Sequence, residues 1–283
     1  MICAIGRSIQ ACNERLSIVP VSDAFLKENR GRPVGRIADK GEDSPMYDPH
    51  LVLAALDANR FGVVAFCGLA MVFNYIWFAL AAIQGFRDRV YPVPLFSTLF
   101  WLCGDGTGVL RHNLYFNVYH HWYLELFWGA LVFTVSFEIL FIYMTLKFGR
   151  RELAPDMSRT GFGLLMAAAA AIFIATWVYM QTFLKDDLNI IYFNLANMAG
   201  PIAFAGVLAR RRSIAGTSSW VWIFYALMLA CWYYAQATYF GPEFRTPVML
   251  AFFAVNIASA VALAVYVRAR EPSREFAAET VAG

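Results

Sequence analysis

Seven runs of about twenty apolar residues follow one another through most of this chain, at roughly 61–84, 92–113, 120–146, 161–183, 189–209, 218–239 and 247–267. A helix needs about 20 such residues to cross the hydrocarbon core of a bilayer, and within these runs the apolar positions do not alternate as the strands of a membrane barrel do. The connections are short and polar, so consecutive helices are expected to pack as antiparallel neighbours. The pattern predicts an all-α, polytopic membrane protein: a seven-transmembrane-helix bundle over residues 61–270. Composition agrees. Of 283 residues 60% are hydrophobic and only 15% charged, where a soluble domain carries about 25%.

Residues 1–60 form a polar N-terminal tail with a Gly- and Pro-rich stretch from Gly31 to Pro49, and residues 271–283 form a polar C-terminal tail. Within the first tail, His50–Asp57 could form a turn or two of interfacial helix, and a solvated lead-in to the first span is the expectation. No charged, apolar and cleavage regions follow one another as in a removable signal peptide. Five cysteines without a CxxC pair argue against a disulfide or zinc framework. The net charge of +3 is small and its basic residues lie in short clusters, which argues against a nucleic-acid binder.

Those clusters orient the bundle. Loops 1–2, 3–4 and 5–6 and the C-terminal tail hold twelve Lys and Arg, including Arg87, Lys147, Arg150, Arg210, Arg211 and Arg268; the opposite loops hold three, Arg111, Lys185 and Arg245. Positive residues stay on the cytoplasmic side, so the C-terminus is expected there. The membrane is expected to be a bacterial inner membrane or the endoplasmic reticulum.

Charges inside a span cost at least about 2.5–3.5 kcal/mol at the bilayer centre, so each one asks for a reason. At about 1.5 Å per residue, Asp105, Glu138, Asn74, Asn197 and Asn256 fall within a slab on the order of 10 Å around the midplane. Trp77, Trp101, Tyr143, Trp177, Tyr192, Trp222 and Tyr225 stand around them. A carboxylic acid kept neutral beside aromatic faces is suited to delivering a proton and to sheltering the cation that results. The blander alternative is that the amides and acids merely bond helix to helix.

Other membrane chemistries fit less well. The last span has no lysine for retinal, and Asp186-Asp187 has no partner motif for magnesium diphosphate. Only four histidines are present; His112, His120 and His121 cluster near the ends of spans 2 and 3, but without the acidic companions of a metal site. No cofactor and no metal are expected.

Several stretches resemble the transmembrane terpene cyclases, the pyripyropene- and paspaline-type meroterpenoid and indole-diterpene cyclases and their bacterial relatives. Gln84–Pro94 is similar to that family's G-x-x-D-K-x-Y-x-M-P box. Counting on without a gap, Asp105 falls where the family carries the glutamate of N-x-x-W-E. Ser136–Glu152 resembles the acid-bearing third span with its K-x-G-R segment, and Tyr192–Ala199 the N-L-x-M-S box. Trp101 and Gly104 replace the asparagine and tryptophan of the second motif, and Asn256 stands where a second aspartate is expected.

The resemblance implies a lyase or isomerase of terpenoid secondary metabolism that protonates a prenylated, epoxidised substrate and closes rings through a carbocation. Asp105 would be the acid and Glu138 its charge partner or the later base. Asn74, Asn197 and Asn256 would orient the substrate, with Trp77, Trp101 and Tyr192 shielding the cation. The partners implied are a lipophilic small molecule, membrane lipid, and a pathway epoxidase or prenyltransferase. An acid-catalysed epoxide isomerase or hydrolase on a small apolar substrate is the alternative. A transporter or sensor without catalysis is the third reading, to which the lack of repeated halves runs counter.

Overall fold

A computed structural model describes residues 47–271, which are all-helical, with no strand among them. In chain order the helices are α1 (Pro49–Ala58), α2 (Arg60–Asp88), α3 (Leu95–Leu110), α4 (Trp122–Met144), α5 (Arg150–Leu153), α6 (Arg159–Leu184), α7 (Ile190–Arg211), α8 (Ser219–Tyr239) and α9 (Pro247–Arg268). Wide π turns at Leu114–Val118 and Thr145–Gly149 follow α3 and α4, and a 3-10 turn spans Pro242–Arg245.

Each of the seven apolar runs has become a helix, but five are long and apolar enough to cross a membrane: α2, the continuous stretch Trp122–Leu153, α6, α7 and α9. The other two differ for different reasons. α3 has 16 residues, about 24 Å at helical rise, and is shorter than a bilayer core. α8 has 21 residues but is built from Trp, Tyr and Gln as much as from aliphatics. It buries eleven residues, against three of the 26 in α6. The aromatic-rich α8 is therefore central, and the alanine-rich α6 lies outermost.

Local chemistry sets the boundaries. Asp48 caps α1 by accepting from His50 N at 2.9 Å, with Pro49 opening the helix. This ten-residue helix, longer than the turn or two allowed by the sequence pattern, buries Val52, Leu53 and Leu56. Ser158 and Thr246 cap α6 and α9. α2 stops at Arg89, which takes a left-handed conformation before Pro92 and Pro94.

The two ends of the bundle are knotted by polar networks. At one end Arg111 donates to the carbonyls of Asp186 and Asp187 and to the side chains of Asn189 and Gln181, at 2.8–3.1 Å. At the other, Glu152 receives Arg211 at 2.8 Å, Arg210 at 2.8 Å and the Tyr91 hydroxyl at 3.1 Å, with the Arg211 guanidinium over the Tyr91 ring. The segments Gln84–Pro94 and Ser136–Glu152, which carry two of the sequence boxes, meet in this second knot. Asp88 joins it by accepting from Gly216 N at 2.8 Å.

Candidate active site

The run Gly104-Asp105-Gly106-Thr107-Gly108 does not break α3; it lets neighbours close onto it. A Cβ on Gly104 would lie 1.8 Å from the Tyr192 ring, and one on Gly108 would lie 2.4 Å from Leu131. With nothing at Gly104, the Tyr192 hydroxyl reaches two α3 carbonyls, Phe100 O at 2.7 Å and Trp101 O at 2.9 Å. Helices α7 and α4 are thus drawn in on either side of Asp105.

Asp105 and Glu138 then approach each other from α3 and α4 as electrostatic neighbours, with no hydrogen bond joining them. Glu138 is fully buried and Asp105 is 4% exposed. Neither oxygen of Glu138 receives an N–H or a hydroxyl among the described residues. Two like charges at such depth without a cation repel at low dielectric, which disfavours ionising both.

The pair opens onto a cavity of about 600 Å³, its mouth included, formed by α2, α3, α4, α7 and α8. Its walls are largely aromatic: Trp77, Phe78, Trp101, Phe127, Phe193, Tyr225 and Trp232. Trp77 meets Trp101 edge-on at 5.6 Å and Tyr225 at 5.3 Å, so three rings back one another beside the acids. The Trp77 indole donates to Asn74 Oδ1 at 2.9 Å, which leaves the Asn74 amide N–H groups for the cavity. Trp101 is fixed by donating to Ala196 O at 2.9 Å.

Six of the eight residues expected from the sequence line this one space: Asp105, Glu138, Asn74, Trp77, Trp101 and Asn197. Two do not. Tyr192 is fully buried behind α3, where it holds α7 in place. Asn256 donates to Phe252 O one turn back along α9 at 2.9 Å and is absent from the cavity wall. Of the wider aromatic set, Tyr143 is 48% exposed and lies away from the cavity. Trp177 braces α6 by donating to Thr107 Oγ1 at 2.6 Å.

Sequence reasoning missed Thr134 and Trp232. Thr134 sits one turn before Glu138 on the same face of α4. Trp232 follows Tyr225 by seven residues, two turns along the same face of α8, a spacing that could have exposed it. The histidines each have separate occupations: His112 stacks on Phe116 at 4.3 Å, His120 pairs with Glu125 and His121 with Asp57, both at 3.2 Å.

Compared with protein-family models, with curated proteins and with solved structures, the chain matches none.

Proposed function

We propose that the protein is a membrane-embedded lyase or isomerase, seven-spanning with its C-terminus cytoplasmic, that protonates a lipophilic substrate and steers the resulting carbocation. The observation that carries the reading is a pair of carboxyl groups without a cation, opening into an aromatic-lined cavity. A structural role would call for donors around Glu138, and none surrounds it among the described residues.

The chemistry follows from the arrangement. Asp105 gives the shared proton to an epoxide oxygen or alkene, and the electron pair of the cleaved C–O bond, or of the π bond, takes it up. A neighbouring alkene then attacks the electron-poor carbon and closes a ring. Trp77, Trp101 and Tyr225 offer π faces to the positive charge. Loss of a proton to the carboxylate left behind restores the acid, so the step is an isomerisation and needs no co-reactant. The resemblance to transmembrane terpene cyclases points the same way, through Asp105 and Glu138. The α3 and α8 helices complete the seven spans in this reading.

The test is incubation of the purified protein with prenylated epoxides, with products examined by mass. A product of unchanged mass supports ring closure or rearrangement, and one heavier by a water supports epoxide hydrolysis. Turnover that survives in Asp105→Asn would remove Asp105 as the acid.

A further inference from the structure

A second, smaller void of about 200 Å³ adjoins the cavity. Gly200, Phe204, Val221 and Trp222 line it, together with three rings that also line the cavity: Trp77, Trp101 and Tyr225. The order of residues along the helices shows where it sits. On α7 the cavity is lined by Phe193, Ala196 and Asn197, and the void by Gly200 and Phe204, nearer Arg211. On α8, which runs back from that same end, Val221 and Trp222 line the void, Tyr225 lines both, and Met228 and Trp232 line the cavity. The three rings therefore form a partition across the interior, with the void on the side of the Glu152 network and the two acids on the other. Each ring is pinned by its own polar atom: Trp77 to Asn74 Oδ1 and Trp101 to Ala196 O, both at 2.9 Å, and Tyr225 to Asn197 O at 2.7 Å. A Cβ on Gly200 would lie 2.7 Å from the Tyr225 hydroxyl and 3.3 Å from Trp101, so α7 lies flush against the rings. The void behind them is too narrow for a water molecule, and its lining is left short of contacts. A shortened ring would join that space to the cavity.

We infer that this partition is the depth stop of the cavity, and that Trp77, which touches both other rings, is its specificity-determining residue: it limits how many carbons an apolar ligand carries beyond the group that meets Asp105. Asp105 follows Trp101 by four residues, one turn of α3, so the acid stands just in front of the stop. The inference deepens the acid-catalysis reading and rests on it for the reacting group; the stop itself rests on the two voids and the rings between them. Trp77 acts here by exclusion, a role separate from any contact with positive charge.

The stop can be tested without turnover, in crystals soaked with dodecamethylene dibromide, whose bromines mark both ends of an apolar chain and are located by anomalous scattering. Wild-type protein should show a bromine against the Asp105 side of the rings and none beyond them. In Trp77→Leu that bromine should move past the rings, to lie among Gly200, Phe204 and Val221. Adding Val221→Phe, which fills the void, should send it back to the wild-type position. A wild-type bromine beyond the rings, none against them, or one that Trp77→Leu leaves in place would overturn the inference. Should Trp77→Leu fail to fold, Tyr225→Leu breaches the same partition and is read the same way. Turnover reads the specificity. Among epoxides with a constant nonyl arm, the ratio of kcat/KM for a propyl second arm to that for a methyl one should rise about tenfold in Trp77→Leu, the scale of burying two methylenes, and fall back when Val221→Phe is added. A ratio that Trp77→Leu leaves unchanged would overturn the specificity role. Failure of the acid reading would show separately, as turnover indifferent to Asp105→Asn with the bromine positions as expected.

Discussion

Asp186 and Glu138 are both completely buried carboxyl groups, and they could hardly be surrounded more differently. Asp186, in the turn between α6 and α7, accepts from Ile190 N at 3.0 Å, from Tyr192 N at 2.8 Å and from the Tyr47 hydroxyl, while its carbonyl receives Arg111. It caps the start of α7 and anchors the segment before α1. Neither oxygen of Glu138 has a hydrogen-bond partner among the described residues, and its charged neighbour is another acid. Burial alone therefore says nothing about role; what the group is given to bond with says a great deal. A saturated carboxylate is part of the frame, and the one left with an acidic neighbour is the one we propose for chemistry.

The largest effect expected from this contrast is on activity. Asp105→Asn and Glu138→Gln should each lower turnover on an accepted substrate by about 10²–10⁴-fold, the usual worth of a positioned acid or base, as measured by product formation. Asp186→Asn should leave the acids untouched yet lower stability by about 1–3 kcal/mol, because one capping N–H would meet an amide N–H. Glu138→Gln should change stability by no more than about 1 kcal/mol, since it removes no satisfied bond. Denaturation in detergent reads both, and equal losses in the two variants would erase the distinction.

Gly104→Ala sharpens the contrast at the level of scaffold. The new Cβ would sit inside the Tyr192 ring, so α3 and α7 must part and the Tyr192 hydrogen bonds must stretch. Overpacking of this sort costs about 1–3 kcal/mol, and thermal unfolding should drop accordingly.

The smallest effect concerns pH. Burial moves Asp186 above its ordinary 3.8 despite its donors, so the folded state holds its proton more tightly than the unfolded chain. Acidification from neutral pH should relieve that cost. Glu271, beyond α9, goes the other way. Partial burial works against its charge, but Ser219 N at 2.7 Å, the Ser219 hydroxyl and Arg268 outweigh it and hold it below 4.5. Its contribution is present above pH 4.5 and fades as pH falls below that value. The stability difference between wild type and Glu271→Gln should shrink through this range, and a constant difference would show that the Ser219 contact carries no charge preference.

Much of this was legible in the sequence, for identifiable reasons. The seven helices follow from the spacing of polar breaks, and the common depth of Asp105, Glu138, Asn74 and Asn197 follows from counting along those helices. Hydropathy could not rank the helices by position. It measures how a face suits lipid, so α8, rich in Trp and Tyr and burying eleven residues, scores below the outlying α6. Depth likewise says nothing of direction. Asn256 lies at the right level but bonds to its own helix, and Tyr192 at the right level turns its hydroxyl to α3 carbonyls through the gap at Gly104. Trp232 went unnoticed because an indole in an apolar run reads as packing until its nitrogen is found without a partner.

Infrared difference spectroscopy of the carboxyl region at neutral pH reaches the shared proton most directly. Wild-type protein should show a protonated-carboxyl carbonyl stretch that is lost or shifted in both Asp105→Asn and Glu138→Gln, while any band from Asp186 is identified and subtracted with Asp186→Asn. A protonated-carboxyl region left unchanged by either substitution at the pair would mean that both acids are ionised, and that no proton is stored between α3 and α4.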